Sequence, residues 1–495
     1  MSTETNRPTI WLISRRWDLV LLCVIMIAAA GLRLTGLEHA IGTHPDERHI
    51  VNVTSSLEAN KMNPKSFAYG SFSFYAAWGF AQLVELYNKL FKKGAQVGYD
   101  EMFVVGRAFC IVMGTLAVGL SYYLSVLVYR RSLVGLIAAF FLTINVFHLQ
   151  LSRFFTSDIP LTTIALVSLI ALVKAHENRT LSSHLIFGAC AGLATATKIS
   201  SVFLFVPLAL VVAISTLREW LPHNNWRRPL QALATVTLSI ILMIITLKLI
   251  YWKGWPRVLG YRVLEQAFII PLSIPFLALT SYALRRISVS LSYLFAALSL
   301  GVLVFTLAEP YAILDFPTFQ HHTSEQTNMV RGYWRPPYTI QYAHTLPYIY
   351  HLQQMLWYTM GWPLFIVALI GIVVAIGRMT LESLDKVLRQ EFLSKPLSSE
   401  VIPLTFVLVF FVATGYFQVK FPRYLLPLYP LAFMFGASLF GNTFKLPTRR
   451  VVSIAPSAPV LSVPDESTLA MESEATEEVA TTTTPETTTK EQEPS

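Results

Sequence analysis

LVLLCVIMIAAAGLRLTGLEHAIGTHPDERHI, residues 19–50, joins the two features that decide the reading of this chain. An apolar run over about 19–37 is followed some eight residues later by adjacent carboxylates, Asp46 and Glu47. A bilayer crossing takes roughly 20 apolar residues, so the run is long enough to span. Arg15 and Arg16 flank it. It is too long for a signal peptide and lacks a small-residue cleavage site, so it is read as a retained span. Outward from it, further apolar runs lie near 102–128, 132–151, 157–175, 183–198, 199–217, 229–252, 264–284, 288–307, 352–376, 400–418 and 422–441, making about twelve.

Composition agrees. The 495 residues are 54 % hydrophobic and 14 % charged, against about 25 % charged in soluble proteins. This excludes an ordinary cytosolic enzyme, a disordered regulator and a fibrous protein, and leaves an all-α polytopic membrane protein. The net charge of +9 comes from bases scattered between apolar runs, a pattern of cytoplasmic turns and not of a nucleic-acid surface. With residues 1–18 as a cytoplasmic N-terminus, the inside turns hold Arg130 and Arg131, Lys174 and Arg179, Arg218 with Arg227 and Arg228, Arg285 and Arg286, and Arg378 with Lys386 and Arg389. The membrane domain is then 19–441, with outer loops at about 38–101 and 308–351. This parity requires that 70–91 (YGSFSFYAAWGFAQLVELYNKLF runs through it) not cross. Its aromatics Tyr69, Phe72, Tyr75 and Trp78 suit a helix lying at the interface. Residues 446–495 carry a net charge of −6 and too little apolar content to fold, so a disordered Thr/Glu/Pro-rich cytoplasmic tail is expected. Cys23, Cys110 and Cys190 lie in apolar runs and read as small hydrophobes.

Three sets of residues could carry chemistry. Asp46 and Glu47, in HPDERHI with His44 and His49, are placed for general-base work on an incoming hydroxyl; a solvated acidic turn is the alternative. Arg153, Lys198, Lys420 and Arg423 fall at outer ends of spans, where a basic residue near lipid calls for an anion or snorkels to the interface. A lipid-linked phosphate is a fitting anion. Asp158, near Arg153, serves as a helix N-terminal residue or a substrate contact. The loop EPYAILDFPTFQHHTSEQTNMVRGYWRPPYT mixes acids, His321, His322, Arg331 and aromatics, as sugar sites do. Either histidine could join Glu47 on a divalent ion, or be a plain loop residue, since the spacing is not that of a metal site. No P-loop, Rossmann fingerprint, HExxH or hydrolase elbow is present.

HPDE after the first span, YGSFSFY, SRFFTSDIPLTT, GLATATKISSVFLFVP, EPYAILD, RGYW and VKFPRYLLPLYP occur in order over residues 19–441. Together they resemble the family 39 lipid-carrier-dependent glycosyltransferases, which include protein O-mannosyltransferases and aminoarabinose transferases, and are closest to the bacterial members. The resemblance implies a GT-C fold with outer-face juxtamembrane helices and a sugar donor on polyprenyl phosphate. It implies a glycan, lipid or protein acceptor, membrane lipids as neighbours, and a site facing outward from the bacterial inner membrane. It makes Asp46 the catalytic base with Glu47 beside it. It makes Arg153, Asp158, Lys198, Arg331, Lys420 and Arg423 substrate contacts, and His44 and Tyr69, in the same outer loop as Asp46, are read as substrate contacts beside them. No cofactor is assigned beyond a divalent metal ion, which some relatives hold and for which Glu47 with His321 or His322 would be the match. The alternative from another class is a transporter or flippase of a lipid-linked or small anionic substrate. Its marks would be repeated halves and mid-bilayer ionisable groups. The sequence has no repeat, and its ionisable candidates sit at span ends.

Overall fold

The computed structural model describes residues 16–38, 42, 44–91, 96–221, 227–252, 265–389, 391 and 397–442. Residues 1–15 and the expected tail at 446–495 lie outside the described residues. The chain opens with α1 (Arg16–Leu34), α2 (Pro45–Ser55), α3 (Phe72–Phe91) and α4 (Tyr99–Tyr129). Next come α5 (Ser132–Ile144), α6 (Val146–Ser152), α7 (Asp158–Asn178), α8 (Leu181–Thr197), α9 (Phe205–Trp220) and α10 (Arg227–Trp252). Then follow α11 (Ile269–Leu284), α12 (Val289–Ala308), α13 (Tyr311–Leu314) and α14 (Phe316–Arg331). The last are α15 (Ile349–Gln354), α16 (Trp362–Leu388), α17 (Val401–Gly415) and α18 (Tyr429–Ser438). No strand occurs among the described residues.

Eight helices among the described residues are long and apolar enough to cross a membrane. The α5–α6 pair, bent by 64°, adds a ninth candidate crossing, and α8, α11 and α17 are shorter apolar helices. Each of the twelve apolar runs thus contains an apolar helix, but fewer than twelve reach full span length. One boundary moves. The run read at 352–376 becomes a full helix only from Trp362, because Gly361 takes φ +78°, a left-handed conformation that halts the preceding turn. The helix then continues to Leu388.

Breaks in the helices place the polar groups. At Asn145 the chain leaves the helical region, and Asn145 Oδ1 accepts the His148 amide at 2.9 Å, capping α6. Asn145 Nδ2 donates to the Thr359 carbonyl at 2.8 Å, which fixes the bend against α16's approach. At Lys198 the backbone is extended, between α8 and a 3₁₀ turn over Ile199–Leu204.

Close backbone packing joins α8 to α12. Gly188 and Gly192 face Ala297 and Gly301, and a Cβ on Gly192 would lie 2.2 Å from the Gly301 carbonyl oxygen. Small residues four apart let membrane helices approach this closely. Gly192→Ala is therefore expected to destabilise by at least ~2 kcal/mol, since overpacking against backbone has no rotamer escape. Gly79→Ala, with nothing within 4 Å of its Cβ, is the matched control. Thermal unfolding in detergent checks both, and an equal midpoint for the two variants would refute the close contact.

The helix expected at the interface forms as α3 and is not among the candidate spans. Its second half turns Leu83, Leu86, Leu90 and Phe91 outward, as an interfacial helix does toward lipid. Its start is pinned: the Gly70 amide donates to the Thr197 carbonyl at 3.1 Å, and a Cβ there would meet the Ala196 oxygen at 2.0 Å. The second long loop docks on the first. Asn63 Nδ2 donates to Asp315 Oδ2 at 2.9 Å, the Phe67 amide to His322 Nδ1 at 3.2 Å, and Tyr311 Oη to the Lys61 carbonyl at 2.6 Å. Ser71 donates through its amide and hydroxyl to Glu309 Oε1, both at 3.3 Å. Burial pushes the Glu309 carboxyl up to about 8, which favours its uncharged form in this layer.

Candidate active site

HPDE forms the first turn of α2, with His44 as N-cap, Pro45 at the first helical position and both acids in the first turn. Pro is tolerated there because no intrahelical N–H is needed, and acids complement the helix dipole. Consecutive helical residues point about 100° apart, so the two acids have different surroundings. Glu47 is 0 % exposed and fully occupied: Arg107 Nε and Nη2 donate to its two oxygens, each at 2.7 Å, and the Phe155 amide donates at 3.0 Å. Arg107 Nη1 continues to the Leu37 carbonyl at 2.8 Å. This forked ion pair fastens α2 to α4 and to the turn before α7.

Asp46 points the other way and keeps 16 % of its side chain exposed. Its Oδ2 lies 2.9 Å from Arg423 Nη1, and this atom is buried without an aligned hydrogen bond, so the contact is ionic. Burial, then the nearby Asp46 charge, raise the Tyr69 phenol well above its usual range. Arg423 Nε lies 3.8 Å from Asp158 Oδ2, and Asp158 Oδ1 accepts from Lys198 Nζ at 2.8 Å. Asp46, Arg423, Asp158 and Lys198 therefore form one chain of alternating charge, drawn from α2, the 3₁₀ turn Pro422–Leu428, the first turn of α7 and the break after α8. Two cations and two anions balance. Lys198 sits 4.7 Å over the Tyr424 ring and Arg423 4.3 Å over the Phe421 ring, which holds both heads in place.

Other residues singled out from the sequence lie around or beyond this cluster. The His44 ring packs at a tilt against Phe154, with centroids 4.8 Å apart, burial lowers its pKa, and its Nδ1 is buried without a partner. Lys420 is fully buried and donates to the Gln418 carbonyl at 3.1 Å. Beside it His351 is buried with both ring nitrogens unpartnered, and burial and the Lys420 charge lower it to about 4. Arg153 is drawn to the end of α1, where it bonds the Leu32 carbonyl at 2.6 Å and the Thr35 hydroxyl. Arg331 is exposed at the end of α14, next to Val330, whose carbonyl accepts from the Gln418 amide at 2.7 Å.

The residues considered for a divalent metal do not fit one. Glu47 is consumed by Arg107, His322 Nδ1 accepts from Phe67, and His321 lies 3.4 Å from Glu325 on the exposed side of α14. Among the described residues no group of three His, Cys, Asp or Glu side chains is arranged to hold a metal. Sequence reading missed Arg107, whose only signal is a base deep inside an apolar run. It also missed Arg33, fully buried on α1 with Ser152 Oγ, His148 Nδ1 and the Ala29 carbonyl as partners.

The profile of the dolichyl-phosphate-mannose-protein mannosyltransferase family matches residues 90–252. That stretch holds Arg153, Asp158 and Lys198, and it bears out the resemblance read from the motifs. No curated protein matches the chain. Among solved structures, the chain is similar to the oligosaccharyltransferase of Archaeoglobus fulgidus in its apo form, at 13 % identity, TM-score 0.48, covering 87 % of this chain and 51 % of that one. It is similar to ArnT from Cupriavidus metallidurans bound to undecaprenyl phosphate, at 14 % identity and TM-score 0.44, over 86 % and 60 % of the two chains. The third is the S. cerevisiae protein O-mannosyltransferase Pmt1-Pmt2 complex bound to its sugar donor, at 16 % identity and TM-score 0.37, over 62 % and 35 %. The chain spans about half the length of the first of these structures.

Proposed function

We propose that this chain is a membrane glycosyltransferase that moves a sugar from a polyprenyl-phosphate carrier to an acceptor hydroxyl, with inversion at the anomeric carbon. The observation that carries this reading is the Asp46–Arg423–Asp158–Lys198 chain, which puts a partly exposed carboxylate beside two cations at one end of the helix bundle. The donor's polyprenyl tail lies among the spans, and its phosphate meets Lys198 and Arg423, with Lys420 behind them. Asp46 takes the proton of the acceptor hydroxyl as that oxygen bonds to the anomeric carbon. The bond from that carbon to the phosphate oxygen breaks, and polyprenyl phosphate leaves with the electron pair. Its growing charge is stabilised by the two cations already in place. Glu47, locked to Arg107, positions α2 and does not touch substrate.

In this reading the site faces outward from a bacterial inner membrane, residues 1–18 and 446–495 are cytoplasmic, and 19–441 form the membrane domain. The acceptor is a glycan, lipid or protein hydroxyl.

The direct test supplies the purified chain in detergent with polyprenyl-phosphate sugars and measures release of polyprenyl phosphate. No release with any donor would overturn the assignment. Lys198→Ala is expected to weaken donor binding about 10- to 100-fold, the loss of one charge-assisted hydrogen bond of about 1.5–3 kcal/mol. Unchanged affinity would leave Lys198 as a structural partner of Asp158 alone.

A further inference from the structure

The two helices that carry Asp158 and Lys198 at one end share a second polar site at the other. From Asp158 to Asn178, α7 has 21 residues, or about 30 Å at 1.5 Å per residue, which is the thickness of a bilayer core. There a cavity of about 360 Å³ opens between the end of α7, the start of α8, the end of α9 and the start of α12. Arg179 and Arg218 both line it, with His176, His184, Ser215 and Tyr293. One carboxylate lines it, Glu219, which accepts from Ser288 Oγ at 2.6 Å and from the Ser290 amide and hydroxyl at 3.1 and 2.5 Å, so two guanidinium charges face one carboxylate. The nearby Glu177 is also occupied, by Arg130 and Ser399.

The histidines add a second chemistry. His184 Nδ1 bonds the Thr180 carbonyl at 2.8 Å and His176 Nε2 the Leu397 carbonyl at 3.0 Å. A carbonyl only accepts, so these nitrogens carry the protons. In the neutral rings the other nitrogen of each is then an acceptor. The cavity combines guanidinium donors for an anion with imidazole acceptors for hydroxyls. Val211, Val212 and Val289 give it an apolar wall, and Val289 is 46 % exposed. Forked guanidinium donors fit phosphate oxygens, and basic pockets between membrane helices suit lipid headgroups.

We propose that this cavity is a phosphate-binding site on the membrane face opposite the Asp46 cluster, taking the phosphodiester of an anionic lipid whose headgroup carries hydroxyls. It is separate from the donor site, so its test does not depend on the proposed reaction. The full chain, purified in detergent, is titrated with phosphatidylglycerol, phosphatidylcholine or inorganic phosphate, and bound lipid is counted by native mass spectrometry. Phosphatidylglycerol is expected to bind one to one and to raise the melting temperature, with phosphatidylcholine at least tenfold weaker. The R179Q/R218Q double variant is expected to lose at least tenfold in phosphatidylglycerol affinity. Ser215→Trp, which fills the cavity without changing charge, is expected to do the same and decides the matter if the double variant fails to fold. Wild-type phosphatidylglycerol affinity in either folded variant overturns the site. Equal binding of phosphatidylcholine overturns the anionic requirement. Protection by inorganic phosphate with no phosphatidylglycerol adduct overturns the lipid as its source.

Discussion

Asp46→Asn is expected to lower sugar transfer by about 10²–10⁴-fold, the usual contribution of a positioned general base, while the protein still folds and still binds donor. The substitution keeps size and removes proton affinity. Asp46 Oδ2 is buried beside Arg423, but the side chain as a whole keeps 16 % exposure, so the carboxylate can still be reached by the acceptor. Arg423 also lies near Asp158, which keeps the guanidinium beside an anion when Asp46 is neutralised. The loss should therefore appear in kcat and not in donor affinity, measured as release of polyprenyl phosphate against donor concentration. Wild-type turnover by Asp46→Asn would end the base assignment. A fall in donor affinity with kcat unchanged would make Asp46 a binding residue.

Arg107→Ala is expected to have the largest effect on stability. It would leave Glu47 with no exposure, a single backbone amide donor and no counter-charge. Breaking a buried pair from one side costs about 3–5 kcal/mol. The variant should unfold at a much lower temperature or fail to accumulate. Replacing both partners, Glu47→Leu with Arg107→Met, should recover much of the loss, because no buried charge is left uncompensated. The same cycle separates the two roles open to Glu47. A positioning residue loses thermal stability on Glu47→Gln, and activity falls only with the folded fraction. A catalytic residue would keep its melting temperature and lose kcat. Wild-type stability in Arg107→Ala would mean that the pair does not hold α2 in place.

The membrane-helical architecture was legible because apolar content over some 20 residues is a local property. The runs near 102–128 and 157–175 appear as α4 and α7 with small shifts at their ends. HPDE was read as the opening of an outer loop near a span end, and its helix, started by Pro45 and the first-turn acids, was not drawn from the sequence. The break at Gly361 was not legible either, since its left-handed backbone leaves no mark in hydropathy.

Neighbouring sequence could not separate Asp46 from Glu47. One helical step turns them about 100° apart, and which direction meets the cluster depends on Arg107 and Arg423, 60 and 377 positions beyond those acids. The sequence by itself determined the apolar spans and a short set of charged residues at their ends. Only the tertiary structure decided that Asp46, Arg423, Asp158 and Lys198 meet while Glu47 is buried, because charges pair through space and the chain brings them together only when the helices pack.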